Sequence, residues 1–310
     1  MQRSELGDVE AVPGGALEYT AAEEEQTLAA AGRRGTWARL RRQRVALASL
    51  VVIVLFVLAA ILAPWLAPHD PNFQYDSGLS ATGAPLGSSA EFPLGTDTAG
   101  RDVLSRLLFG ARISLTVGVL ATALMATVGV ALGAIAGFYG GWAEVVIMRL
   151  VDIMLAFPVV LLGLAAAAIF SPSVATTIIV IAATQWMYVA RVVYSMVQTL
   201  KEWEFVAAAR AVGVDNWRII GRHIAPHLVP VVLAYSTLGV GISILLEATL
   251  SFLNAGVPQP TASWGAMISS GLTYYRADPP LVLYPGVALA VVVLAFNLVG
   301  DGLTRTLQAR

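Results

Sequence analysis

Two carboxylates stand where charge is expensive. Glu247 interrupts the middle of the apolar run 229–253, and Asp152 follows Arg149 by three positions in another. An acid at membrane depth faces a cavity or a partner. One reading makes Glu247 and Asp152 the relay acids of a proton-coupled secondary transporter. Another makes Arg149–Asp152 a helix-surface pair or a gate contact and Glu247 a pore-lining or subunit-contact residue. Arg191 is the lone charge between 153 and 200, and either snorkels to the interface or touches a neighbouring loop. His223 and His227 have the i, i+4 spacing of a chelate, but Pro226 lies between them and zinc needs three or four ligands, so no metal site is assigned. The absence of cysteine removes thiol nucleophiles and thiolate metal sites. Neither H-E-x-x-H nor G-x-S-x-G occurs. A phosphate-cradling loop needs Gly-Lys-Ser/Thr, and the one lysine, Lys201, sits between Leu200 and Glu202. No catalytic residue and no bound cofactor are therefore assigned to the chain.

The elements that hold these residues are set by composition. Of 310 residues 57% are hydrophobic and 13% charged, about half the charged share of a soluble domain, so a bilayer is the expected solvent. A net charge of −1 gives no reason to expect a nucleic-acid partner. Residues 1–40 read as a disordered tail ending in a basic cluster. It is not a signal peptide, because the apolar run after it is too long. The first transmembrane helix is expected within 41–68. The segment 69–112 reads as an outer loop in which Val103, Leu104, Leu107 and Leu108 form a short helix at the interface. The core domain, 113–310, contributes five more spans: 113–138, 144–170, 174–197, 229–253 and 281–298. "YGGW" (139–142) and "SPS" (171–173) make the tight turns. Thirteen Lys and Arg fall in the N-terminal tail, the 199–228 loop and the C-terminal tail, against four in the two intervening outer loops. That bias places both termini in the cytoplasm. The expectation is an all-α integral membrane protein with six transmembrane helices.

The stretch "EFVAAARAVGVDNWRIIGRHIAPH" (204–227) is different. Glu204, Arg210, Asp215, Arg218 and Arg222 would each cost roughly 3 kcal/mol at mid-bilayer, so the stretch stays outside the hydrocarbon. Phe205, Ala208, Ala209 and Val212 have the spacing of an amphipathic helix face. Gly213 suits a left-handed cap, and Asp215 suits the N-cap of a second helix on which Trp217, Ile220 and Ile224 share a face. Helix, glycine turn, helix makes a knob that either packs on its own protein or docks a partner.

This stretch resembles the "EAA" loop of ABC-importer permeases, whose pattern is E-A-A-x3-G-x9-I-x-L-P. Ala208, Ala209, Gly213 and Pro226 align, while Ala207, His223 and Ala225 depart. Glu204-Phe205-Val206 and Arg222-His223 are similar to the peptide-importer variant, E-Y-V-x-A-A-R-A-x-G followed by R-H, with Phe for Tyr. "LGTDTAGRDVLSRLLFGARISL" (94–115), "DIMLAFP" (152–158), "LSFLNAGVPQPTASWGAMISSG" (250–271) and "YPGVALAVVVLAFNLVGDGL" (284–303) extend the resemblance, to the C-type permease subunit of dipeptide and oligopeptide importers, over nearly everything from residue 41 onward. The resemblance implies the type I ABC-importer permease fold and a bacterial cell-membrane location. It also implies a second, homologous permease subunit, two cytoplasmic ATPase subunits that bind ATP and magnesium, and an extracytoplasmic binding protein. It gives Glu204, Phe205, Ala208, Ala209, Arg210, Gly213, Asp215, Arg218 and Arg222 the role of coupling to the ATPase. It makes Pro258, Pro260 and Trp264 gate residues, unless the loop is a plain connection. Asp97, Arg101 and Asp102 either cap and pin the interface helix or meet the binding protein. Related permeases carry nickel, haem or other solutes, so the solute stays open.

Overall fold

The structure, a computed structural model, describes residues 44–308; the expected disordered tail at 1–40 lies outside them. Within that range the protein is helical, with two isolated β-bridges in the segment before residue 103. Helix α1 (Arg44–Leu66) carries no charge after its first residue and is about 34 Å long, enough for roughly 30 Å of hydrocarbon. Its buried positions Ala46, Ser49, Ile53, Ala60 and Ala63 fall on one seven-residue seam. That seam packs on α2 (Val103–Tyr139) and α10 (Pro280–Gln308), while Val51, Leu55 and Ile61 face outward.

Helix α2 is continuous over 37 residues. The separate interface helix expected at 103–108 is instead its first turns. Asp102 caps it, accepting from Ser105 N at 2.8 Å, and nothing between Leu108 and Ile113 stops it. Gly110 is absorbed mid-helix because Trp264 fills the space beside it. The helix ends at Gly140 and Gly141, both with positive φ, which is the tight turn that "YGGW" predicts.

The expected third span is broken. Helices α3 (Gly141–Leu155) and α4 (Val159–Ile169) meet at 97°. Pro158 lacks an N–H and disfavours the helical conformation in the residue before it. Neither piece alone is long enough to cross. Helices α5 (Val174–Ala183) and α6 (Trp186–Leu200) form one span with a step at Thr184–Gln185. At the step the Thr184 hydroxyl bonds back to the carbonyls of Val180 and Ile181, a habit that bends helices. Then come α7 (Glu204–Ala211), α8 (Asn216–Phe252) and, in the loop after it, α9 (Trp264–Gly271). Among the described residues five helical stretches are long and apolar enough to span a membrane, or six if the α3–α4 pair counts as one.

Helix α8 corrects a second expectation. The latter half of the 204–227 stretch is not a separate helix in a loop. It is the beginning of the fifth span, joined without interruption through a π-helical turn at Ile219–Ile224. Pro226 explains the wide turn: it offers no donor to the carbonyl four residues back and its ring crowds that carbonyl. Helix α2 stands at the centre, packed on α1, α5, α6 and α8. One cluster of buried apolar side chains joins α2, α6, α7 and the start of α8; a second joins α1, the start of α2, α9 and α10 to the later part of α8.

Candidate functional site

The hairpin of α7 and the start of α8 closes one end of the bundle. Gly213 has φ +76°, the left-handed conformation the sequence requires of it. Gly213 N donates to Arg210 O at 3.0 Å and Val214 N to Ala209 O at 3.0 Å, which satisfies the last carbonyls of α7. Asp215 caps α8 through Trp217 N at 3.2 Å. The inward face is displaced by one position from the predicted stripe. Val206 and Ala209 are buried against Val193, Val197, Ile219 and Ile224, and Phe205 is half-buried. Ala208 and Val212 point out, with Val212 80% and Trp217 62% exposed. Glu204, Arg210, Asp215, Arg218 and Arg222 are exposed around this apolar tip.

Several contacts fix the hairpin to the end of α2. The Arg210 guanidinium lies 5.1 Å from the centre of the Phe138 ring, near the end of α2. Lys201 Nζ donates to Gly137 O at 3.1 Å, a cation at a helix C-terminus. Trp217 meets Tyr139 edge-on, with ring centres 6.2 Å apart. His227 stacks on Phe205 at 5.4 Å, so this histidine is occupied by an aromatic neighbour. Contacts therefore run from the hairpin to the end of α2, and α8 runs on from the hairpin toward the opposite end of the molecule.

Glu247 lies nearer the end of α8 than its apolar run suggests, five residues before Phe252. It is fully buried and faces α2 rather than an open path. Ser114 Oγ and Ser251 Oγ each donate to its carboxylate at 2.8 Å. Ser251 Oγ in turn accepts from Val257 N at 3.1 Å, so one acid ties α2, α8 and the following loop. Glu247→Leu strands two buried hydroxyls, at about 1–3 kcal/mol each, whereas Glu247→Gln keeps an acceptor and costs about 1 kcal/mol. The thermal midpoint in detergent is expected to fall in the order wild type, Gln, Leu; equal midpoints for all three would remove the latch. Asp152 pairs across helices with Arg191 on α6. Arg191 thus meets another span rather than the hairpin, and no ion pair joins Arg149 to Asp152 among the described residues.

At the end opposite the hairpin, Asp97, Arg101 and Asp102 are buried. Arg106, not among the residues singled out by sequence, completes the cluster. Asp97 Oδ2 lies 2.8 Å from Arg101 Nε and 3.2 Å from Arg106 Nε. Arg101 also donates to Gln259 Oε1 at 3.1 Å, and Arg106 donates to the carbonyls of Pro71 and Pro260 at 2.9 and 3.2 Å. The charges stitch three loop segments together, and a partner at this end would meet the loops they pin. Pro258 and Pro260 belong to that stitched loop. Trp264 is fully buried, donates to Leu107 O at 3.1 Å and meets Phe56 edge-on. Its geometry is that of an anchor holding α9 against α2.

A glycine seam is a further feature that sequence alone did not bring forward. Gly129, Gly133 and Gly137, four apart, press α2 onto α6: a Cβ on Gly133 would lie 2.5 Å from Ala190 O. The readable signal is the spacing, since small residues every fourth position let membrane helices approach closely.

Residues 129–310 match the family described as binding-protein-dependent transport system inner membrane component, and residues 33–83 match the N-terminal transmembrane domain of oligopeptide transport permease C. The dipeptide transport system permease protein DppC of Alkalihalophilus pseudofirmus is 39% identical over 292 residues, covering 93% of each chain. The glutathione transport system permease protein GsiD of Pectobacterium atrosepticum is 36% identical over 277 residues, covering 89% of this chain and 91% of the relative. The protein of the same name from Escherichia coli O157:H7 is 38% identical over 276 residues, covering 88% and 89%.

Proposed function

Because the chain belongs to the family of binding-protein-dependent transport system inner membrane components, we propose that it carries short peptides inward as half of a translocation pore, driven by ATP hydrolysed on separate subunits. It is a multi-pass permease subunit of the bacterial cell membrane and not a catalyst. The relatives named for dipeptide and glutathione transport support peptides as the solute over nickel or haem. Family membership also displaces the proton-coupled reading, whose two relay acids are both engaged, Glu247 by serines and Asp152 by Arg191.

The observation that carries the ATPase coupling is the exposed apolar tip. Ala208, Val212 and Trp217 present apolar surface on a hairpin whose polar residues keep it out of lipid. Such a patch marks a protein contact, and a cytoplasmic ATPase is the occupant proposed. The second permease subunit, the pair of ATPases, the binding protein and the cytoplasmic side of both termini belong to the same reading.

Gly213→Val tests it. Among the described residues no atom lies within 4 Å of a Cβ at Gly213, so the added Cβ meets no clash. Its cost is the left-handed backbone, about 1–2 kcal/mol for an L-residue, concentrated at the tip. Reconstituted with its ATPases and binding protein, the variant is expected to insert and assemble but to import peptide at least about tenfold more slowly, a loss of about 1.4 kcal/mol or more in coupling. Normal uptake with normal ATPase retention would remove the hairpin from the mechanism.

A further inference from the structure

A cavity of about 320 Å³ opens among α2, α4, the α5–α6 step and α8. That volume is at the lower end of ligand-sized pockets, about 300–1,000 Å³. Its walls are mostly apolar, with Met125, Val189 and Ile242 among them, and three neutral polar side chains line it: Gln185, Tyr188 and Tyr235. Gln185 is 5% exposed and sits at the step near the middle of the span Val174–Leu200. Its carboxamide has no hydrogen-bond partner among the described residues. The carboxamide therefore opens onto the cavity, and in the middle of a span lipid cannot supply its hydrogen bonds. Tyr188 and Tyr235 are 49% and 43% exposed, and their hydroxyls likewise have no partner among the described residues. Among the described residues no charged side chain lines the cavity.

We infer that this cavity is a waypoint for the transported solute, with Gln185, Tyr188 and Tyr235 bonding to peptide amide groups. The inference rests on the reading of the chain as a peptide permease and adds the place and the chemistry. A carboxamide offers two donors and an acceptor, and each phenol offers one donor and an acceptor. That set matches the N–H and C=O that every peptide bond presents, whatever its side chains. The lack of charge lets the solute leave: binding in a conduit must be strong enough to admit and weak enough to release. A helix step at the same level is where membrane transporters build such sites.

The protein contains no cysteine, so Tyr235→Cys gives a single reporter on this chain, and labelling is read on this subunit after it is separated from the others. The assembled complex, with its ATPases and binding protein in proteoliposomes, is labelled with a small water-soluble maleimide during ATP turnover. Dialanine is the probe and sucrose the control. Dialanine is expected to slow labelling at least fivefold and sucrose to leave it unchanged. Gln185→Met, close in size, is expected to lower dialanine uptake about fivefold, as the loss of one hydrogen bond predicts, and Tyr235→Phe to lower it less. If the wild-type complex imports dialanine but the reporter labels at the same rate with and without it, or never labels because another subunit covers it, the waypoint is wrong and peptide import stands. The waypoint is equally overturned if both substitutions leave uptake unchanged. If the wild-type complex imports no peptide, the proposed function falls and takes the waypoint with it.

Discussion

Replacing Asp97 with Asn is expected to destabilise the end opposite the hairpin strongly. The Asp97 carboxylate is the shared counter-ion of two buried guanidiniums. Its Oδ2 lies 2.8 Å from Arg101 Nε and 3.2 Å from Arg106 Nε, while Oδ1 accepts from Ala99 N at 2.8 Å and Arg101 N at 3.0 Å. Arg101 and Arg106 are 4% and 1% exposed, so water cannot replace the lost charge. Asn can keep acceptor contacts but leaves two like charges facing each other. Removing one partner from a buried ionic group costs about 3–5 kcal/mol. The protein is expected to show a thermal midpoint lower by several degrees and faster proteolysis in the segments 69–102 and 254–263, which the two arginines hold together. A second substitution separates charge from packing. Arg101→Met removes one uncompensated cation, so Asp97→Asn with Arg101→Met is expected to recover part of the loss. If the double variant is as unstable as the sum of the single variants, the cluster is not ionic in its energetics. If Asp97→Asn alone changes nothing, the stitching resides elsewhere.

The hairpin is legible in the sequence because its signals are local. Gly213 needs a left-handed turn and Asp215 needs a helix start, and both act within a few residues of themselves. The α1 span is legible for the same reason: an uncharged run of sufficient length has one use. What is not legible depends on partners distant in the chain. The 103–108 stretch has the composition of an interface helix, and only the packing of Trp264 beside Gly110 shows why it runs on into α2. Asp152 looks paired with Arg149 on spacing alone, yet the nearer charge in space is Arg191, on another helix. Glu247 reads as a lone acid until Ser114, more than a hundred positions away, is brought to it. On α7 the apolar period is visible in the sequence but its phase is not. Alanine satisfies either face of a short helix, and the buried side is settled by Val206. Pro158 and Pro226 are equally visible. Their consequences, a 97° break and a π turn, differ because Pro226 is followed by a long helix that packs well on its neighbours while Pro158 is not.

Gly133→Leu is expected to have the other large effect, at the contact between α2 and α6. A Cβ on Gly133 would lie 2.5 Å from Ala190 O and 3.1 Å from Ala190 Cα. One turn either side, Gly129 faces Trp186 O at 2.8 Å and Gly137 faces Tyr194 O at 2.9 Å. These obstacles are backbone atoms, so no rotamer change relieves them. In a bilayer the helices have no hydrophobic drive to associate, and close packing of this kind is what holds them. Overpacking typically costs about 1–3 kcal/mol, occasionally more. Gly133→Ala is expected near the lower bound and Gly133→Leu at or above the upper. Gly286→Ala serves as the control, since no atom lies within 4 Å of its added Cβ; it is expected to be neutral or slightly stabilising through helix propensity. Thermal midpoints of the three purified variants give the order. The separation of α2 from α6 also reaches the hairpin, because Lys201 spans the two at Gly137 O and Arg210 rests on Phe138. Gly133→Ala is therefore expected to lower ATP-coupled uptake while leaving the tip residues Val212 and Trp217 chemically intact. If Gly133→Leu is as stable as wild type, α2 and α6 are not in the glycine-mediated contact described, and the path from hairpin to membrane must run through α8 alone.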